Sequence, residues 1–222
     1  VSRATLPSAH NTETLTMSYR SFPAPVLADV YGELAGYFGA ALDYDDVHTL
    51  RLNGAFGPLQ ALAADPRYAP DLRCALDAVL APVSDDEATV LLNRGYCQLF
   101  LGIGGAAGAP PFESAYRGAG RLFQEPVGAM AALLAACGLQ TADGFVEPPD
   151  HIAVELSLLA RLTRDGAAGA DAPDAAALRE RMAEWVPAFA RGCARYDRSL
   201  FYAPLAAVLA TLLDDGARAL AA

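Results

Sequence analysis

The chain has 222 residues, 54% of them hydrophobic and 19% charged, enough for one large domain or two small ones with a substantial core. Its 26 acidic against 16 basic residues give a formal charge of -10, which excludes the basic footprint of a nucleic-acid-binding protein and favours a cationic partner. No apolar run approaches the ~20 residues that cross a bilayer, and the opening VSRATLPSAHNTETLTMSYR lacks the apolar stretch of an export signal. A cytoplasmic protein without stable membrane insertion is expected.

All 16 basic residues are Arg, in a chain crowded with Ala, Gly and Pro, which reflects GC-rich coding rather than function. Cys74, Cys97, Cys137 and Cys193 stand far apart and form no C-x-x-C, so they read as free thiols of a reducing compartment rather than a metal or redox motif. Residues 1–21 are polar, aperiodic and rich in Ser and Thr. They read as a disordered leader or extension, and residues 22–222 as the folded domain.

Apolar residues then recur at helical spacing, with Pro and Gly between the segments. Leu27, Val30, Tyr31, Leu34, Tyr37, Phe38 and Leu42 predict a first helix from Pro25 to Leu42. A second is expected from about Asp45 to Ala64, broken at Gly57-Pro58, and a third from Pro70 to Leu80. Ser84, with Glu87 three residues on, carries the capping-box signature of a fourth helix ending near Gly102. A Gly- and Pro-rich loop, Gly102 to Pro111, follows. A fifth helix spans Pro126 to Cys137, with Gly138 as its C-terminal cap. The linker 140–146 leads to a sixth helix from Pro149 to about Arg164, and the stretch Gly166 to Ala172 reads as a flexible connection. A seventh runs from Pro173 to Tyr196 with Pro187 expected to kink it, and an eighth starts near Tyr202. No alternating, turn-bounded run suggests a strand. The expected fold is all-α, a single globular bundle of about eight helices.

Two constellations stand out. One is Glu147-Pro148-Pro149-Asp150-His151, opening the sixth helix, where Asp150 meets the positive end of the helix dipole and His151 is discouraged from protonating. His151 and Glu155 share a face, but two ligands without a third make no metal site, so neither metal nor cofactor is expected. The other is Tyr96-Cys97-Gln98-Leu99-Phe100, followed across the loop by Pro111-Phe112-Glu113-Ser114-Ala115-Tyr116. Gly102-Ile103-Gly104-Gly105 has no preceding strand and no following Lys-Ser or Lys-Thr, and no Gly-x-Ser-x-Gly elbow is present. An enzyme is therefore not expected.

In these segments the sequence resembles the TorD/DmsD-type chaperones, also called redox enzyme maturation proteins. That family's pattern is a Tyr-x-x-Leu-Phe helix end, a Pro-Tyr/Phe-Glu-Ser-x-Tyr segment and, some thirty residues later, Glu-x-Pro-Asp-His. Trp185 and Phe201-Tyr202 with Leu205-Ala206 also fall where the family has a Trp and an aromatic helix start. The chain departs from the pattern at Met182 to Trp185, where a His-Leu often precedes the Trp, and at Leu159, where Met is common.

The resemblance implies a non-enzymatic cytoplasmic chaperone. It would bind the twin-arginine signal peptide, the apo catalytic subunit of a molybdopterin oxidoreductase, or both, assisting cofactor insertion and delaying export. It implies a hinge near 140–150 between two halves, with Glu147, Pro148, Pro149, Asp150 and His151 recognising the signal peptide. Tyr96, Phe100, Pro111, Phe112 and Tyr116 would line or support the groove, and Glu113 would hold the loop or meet an Arg. A monomer with some domain-swapped dimer is expected, exchanged through the linkers 140–146 and 166–172. Two other classes stay open at this point: an assembly factor that binds only the folded client, and a small-molecule or nucleotide-binding helical protein.

Overall fold

The computed structural model of the chain describes residues 22–103, 105, 107–117, 125–141, 146–166 and 174–220, the last four through their backbone alone. The expected leader 1–21, all of the connection 166–172 but Gly166, and most of the linker 140–146 lie outside them. Pro23 and Pro25 open α1 (Ala24–Gly39), whose Val30, Tyr31, Leu34, Tyr37 and Phe38 are buried at the spacing of one helical face. It ends at Gly39 rather than Leu42 because Ala40 is already extended.

The expected second helix is two elements. Helix α2 (Tyr44–Asn53) starts with a complete capping box, in which Asp43 accepts from the Asp46 N–H and Asp46 reaches back to the Asp43 N–H. It stops at Gly54, whose φ of 59° is the left-handed C-terminal cap conformation. A 3-10 turn over Pro58–Leu62 then seals the core with Leu59 and Leu62. The Glu33 carboxylate of α1 holds that turn, accepting from the Gly57 and Leu59 N–H groups at 3.0 and 2.6 Å.

Helix α3 (Ala69–Leu80) and α4 (Asp85–Phe100) follow. Ser84 caps α4 through the Glu87 N–H, but Glu87 reaches one residue further back than a capping box requires, accepting from Val83 N–H. Arg51 ties α2 to both, bonding the Asp85 carboxylate and the Val79 and Pro82 carbonyls. Helix α5 (Glu125–Ala136) ends in a Schellman motif. Gly138 stands at φ 67°, the Leu139 N–H donates to Leu134 O, and the Gly138 N–H donates to Ala135 O.

Helix α6 (Ile152–Asp165) begins three residues later than the sequence predicts. Helix α7 (Ala175–Tyr196) continues through Pro187, and α8 (Tyr202–Leu220) closes the chain. Asp197 organises the corner between these two, its carboxylate accepting from the Ser199 N–H and hydroxyl and from the Ala203 N–H in the first turn of α8. Among the described residues the helices form no sheet, only an isolated bridge between Phe112 and His151.

Helix α1 lies along α6, α7 along α8, and α3 also packs on α8. Elements from the two ends of the sequence therefore share one core, with Trp185, Tyr31, Tyr68, Tyr202, Phe38 and Phe189 among its largest sealed side chains. A close approach occurs at Gly95 on α4, where a Cβ would sit 2.8 Å from Ser199 Oγ and 2.9 Å from Ser199 Cβ. Ser199 is pinned to Asp197 and does not yield freely. Gly95→Ala is therefore expected to destabilise the fold by about 1–2 kcal/mol, despite the better helix propensity of Ala. Urea unfolding of the two proteins checks it, and an Ala variant as stable as the parent would contradict it.

Candidate functional site

The two sequence constellations lie against each other. Residues 111–113 run antiparallel to 150–152: the Ile152 N–H donates to Pro111 O at 2.8 Å, and the Glu113 N–H donates to Asp150 O at 3.0 Å. This pairing holds His151 extended, and for that reason α6 starts at Ile152 and not at Pro149. The prolines form the turn that precedes the helix, with the His151 N–H donating to Pro148 O. The rings of Phe112 and His151 meet edge to face at 5.1 Å.

His151 is the N-cap of α6, its Nδ1 accepting the Ala153 N–H at 3.1 Å. Burial pushes its pKa down to about 4, with Asp150 opposing the shift. An imidazole that must accept a hydrogen bond at the positive end of a helix stays neutral. Asp150 is sealed from solvent, and its Oδ2 accepts the Ser114 N–H at 3.0 Å. Its Oδ1, the Ser114 hydroxyl and the Tyr116 hydroxyl are buried without a hydrogen-bond partner among the described residues.

Behind this pairing sits a charged cluster. Glu113, fully buried on a short 3-10 turn (Glu113–Ala115), accepts from Arg117 at 2.5 Å and from Arg181 of α7 at 2.6 and 3.0 Å. Arg117 also pairs with Glu184, one turn beyond Arg181 on α7. Glu155 reaches the same place from α6, with Oε2 accepting the Trp185 Nε1–H at 3.2 Å. Burial and the neighbouring Glu113 carboxylate push its carboxyl well above the usual range, so the protonated form is favoured.

The aromatic members lie mainly inside. Tyr96 and Phe100 are each 5% exposed and interlock edge to face with each other and with Tyr202. Burial together with the Glu147 charge pushes the Tyr96 hydroxyl up to about 12. Tyr116 stacks on Trp185 at 5.7 Å. Pro111 is buried, while Phe112, Tyr116, Glu147, Pro148 and Pro149 are half-buried at the edge of the site. The sequence reading missed Arg117, Arg181 and Glu184, because three of many charged residues acquire a role only where α7 crosses the turn.

Close to the start of α6 an apolar groove of about 540 Å³ opens between α1, the end of α5 and α6. Gly32, Gly36 and Gly39 form one side, Ala153 and Ser157 the other, and Arg161 the rim. No group of His, Cys, Asp and Glu among the described residues has the arrangement of a metal site, and no helix is long and apolar enough to cross a membrane.

Residues 65–191 match the family described as nitrate reductase delta subunit. Chaperone protein TorD of Escherichia coli O45:K1 (strain S88) is 29% identical over 195 residues, which are 85% of this chain and 93% of that protein. The protein of the same name from Shewanella loihica is 29% identical over 185 residues, 81% of this chain and 85% of that one. A crystal structure described as a putative redox enzyme maturation protein from Archaeoglobus fulgidus superposes with a TM-score of 0.52 at 19% identity, covering 90% of this chain and 99% of that one.

Proposed function

This chain belongs to the nitrate reductase delta subunit family, and on that footing we propose that it is a molybdoenzyme-specific chaperone. It binds the twin-arginine signal peptide and the apo catalytic subunit of a molybdopterin oxidoreductase in the cytoplasm, and so delays export until the cofactor is inserted. It performs no chemistry of its own. The observation that carries the reading is the pairing of residues 111–113 with 150–152, which makes one site of two motifs 36 residues apart in hydrogen-bonded sequence.

In this reading Glu147 is the carboxylate at the surface of the segment that meets a guanidinium of the leader, with Pro148, Pro149, Phe112 and Tyr116 forming its surroundings. Asp150, His151, Pro111 and Glu113 hold the pairing in shape, and Tyr96 and Phe100 support it from the core. The apolar middle of the leader lies in the groove between α1 and α6. The net charge of -10 draws a basic leader towards the protein before contact.

Calorimetric titration with an isolated twin-arginine peptide tests this. Glu147→Gln is expected to weaken binding by about 0.5–1 kcal/mol, because the carboxylate is only half-buried, and to reduce the salt dependence. Asp150→Asn keeps an oxygen for the Ser114 N–H. A loss of about 1–3 kcal/mol in leader affinity at an unchanged melting temperature would assign its charge to the leader as well. Failure of the wild-type protein to bind the peptide would overturn the reading.

A further inference from the structure

We propose that the outer face of α3 is a self-association surface, on which a second copy of this chain docks its own α3 antiparallel across a two-fold axis. The inner face of α3 packs on α8 through Leu72, Ala75 and Val79. The opposite face carries Pro70, Arg73, Cys74, Asp77 and Ala81, which recur at three, one, three and four residues along one exposed stripe. That stripe borders an open groove of about 960 Å³ between α3, Leu91 of α4 and the corner 198–200.

Three features mark this face as unfinished. Leu80, Val83, Leu91 and Leu200 are 39, 93, 36 and 57% exposed around it, more bulky apolar surface than a solvated helix pair needs. Leu200 is also the one described residue other than Gly with positive φ, at 60°, a conformation that costs a bulky side chain energy and here turns it outward at the rim of the groove. Arg73 and Asp77 have no ion-pair partner among the described residues, although they line the same groove.

The order of these residues fits a second copy of the same helix. Two antiparallel copies of α3 related by an axis near residue 75 place Arg73 opposite the second copy's Asp77, and Asp77 opposite its Arg73. The same register sets Ala69 against Ala81 and Pro70 against Leu80, side chains small or apolar enough for the helix axes to approach to about 8–10 Å. A surface that carries both halves of its own charge pair at mirror positions is self-complementary, which an isologous interface requires. Arg198 adds a second cation on the same rim. Because the ion pairs stay at the surface, the dimer is weak and concentration-dependent. It needs no exchange of helices and is independent of leader binding.

Sedimentation equilibrium of the full chain in reducing buffer, from low to several hundred micromolar, tests it. Wild type is expected to form a reversible dimer. Asp77→Arg, which sets Arg against Arg twice, should weaken it by about tenfold or more, and the double variant Arg73→Asp with Asp77→Arg should restore it. Both positions are exposed, so thermal melts should be unchanged. A short bismaleimide should join the two Cys74 residues, which this register sets about 10 Å apart, and Cys74→Ser should abolish the cross-link. A wild type that stays monomeric throughout would overturn the proposal. So would a dimer indifferent to Asp77→Arg, which would point to helix exchange or another face. Cys74 protected from maleimide only when a molybdoenzyme subunit is added would assign the face to the client instead, and would likewise overturn it.

Discussion

Replacing Arg181 with methionine is expected to lower the free energy of unfolding by about 3–5 kcal/mol, the cost of leaving a buried charge without its partner. Glu113 is sealed from solvent, and among the described residues Arg181 supplies two of its three side-chain hydrogen bonds. Without it the carboxylate keeps, among the described residues, Arg117, whose side chain is 33% exposed and so more screened by water. Glu155 lies beside it, adding repulsion whenever that carboxyl ionises. Arg181 also bonds the Pro126 carbonyl at 3.4 Å, so α5 loses a tie to α7. At about 2–4 °C per kcal/mol for a chain of this size, the melting temperature should fall by about 10 °C. Glu113→Gln should cost less, because the two guanidinium groups it frees are partly open to water. Differential scanning calorimetry of both variants checks the order, and an Arg181→Met melt within a degree or two of wild type would show that the cluster does not hold the bundle.

Acid is expected to remove about 3 kcal/mol of stability through His151 alone as the pH falls from 6.5 to about 4. Its folded-state pKa lies below its ordinary value, so between the two the unfolded chain binds a proton that the folded chain refuses. The contribution is complete above pH 6.5 and is lost as the pH drops towards 4. Protonating Nδ1 would also take away the acceptor that caps α6. Glu155 acts in the opposite sense. Its raised carboxyl holds a proton that the unfolded chain releases above 4.5, so its contribution is complete below 4.5 and declines as the pH rises through the raised folded value. Between 4.5 and 6.5 the two slopes oppose each other and flatten the profile. His151→Asn, which retains a good N-cap residue, should abolish the acid loss. Glu155→Gln, which still offers Trp185 an acceptor, should remove the decline on the alkaline side. Urea unfolding across this range separates them, and an unchanged acid slope in His151→Asn would exclude the imidazole as its source.

Much of the helix layout is legible locally. The helical spacing of Val30, Leu34 and Phe38, Ser84 three residues before Glu87, and Gly138 after an apolar run are statements about neighbouring residues. They predict the start of α1, the start of α4 and the end of α5 nearly to the residue. The Asp43 and Asp46 capping box is equally local but departs from the usual signature, because Asp at the third helical position stands in for the usual Glu. The family resemblance, too, rests on motifs short enough to be read in one dimension.

What the sequence by itself determined is where helices form and which two segments carry unusual chemistry. Only the tertiary structure decided what those segments do for each other. The start of α6 moved from Pro149 to Ile152 because a strand-like pairing with 111–113, set by a contact far along the chain, outweighed the local signal of two prolines and an Asp. His151, unexplained in sequence, became a helix cap through that same displacement. Glu113 acquired Arg117 and Arg181, and Asp150 acquired the Ser114 N–H, because α7 and the 3-10 turn deliver partners that no spacing rule connects. Helix propensity and capping act over three or four residues and so leave a trace in the sequence. The desolvation of a carboxylate depends on everything packed around it, and that is settled only when the helices come together.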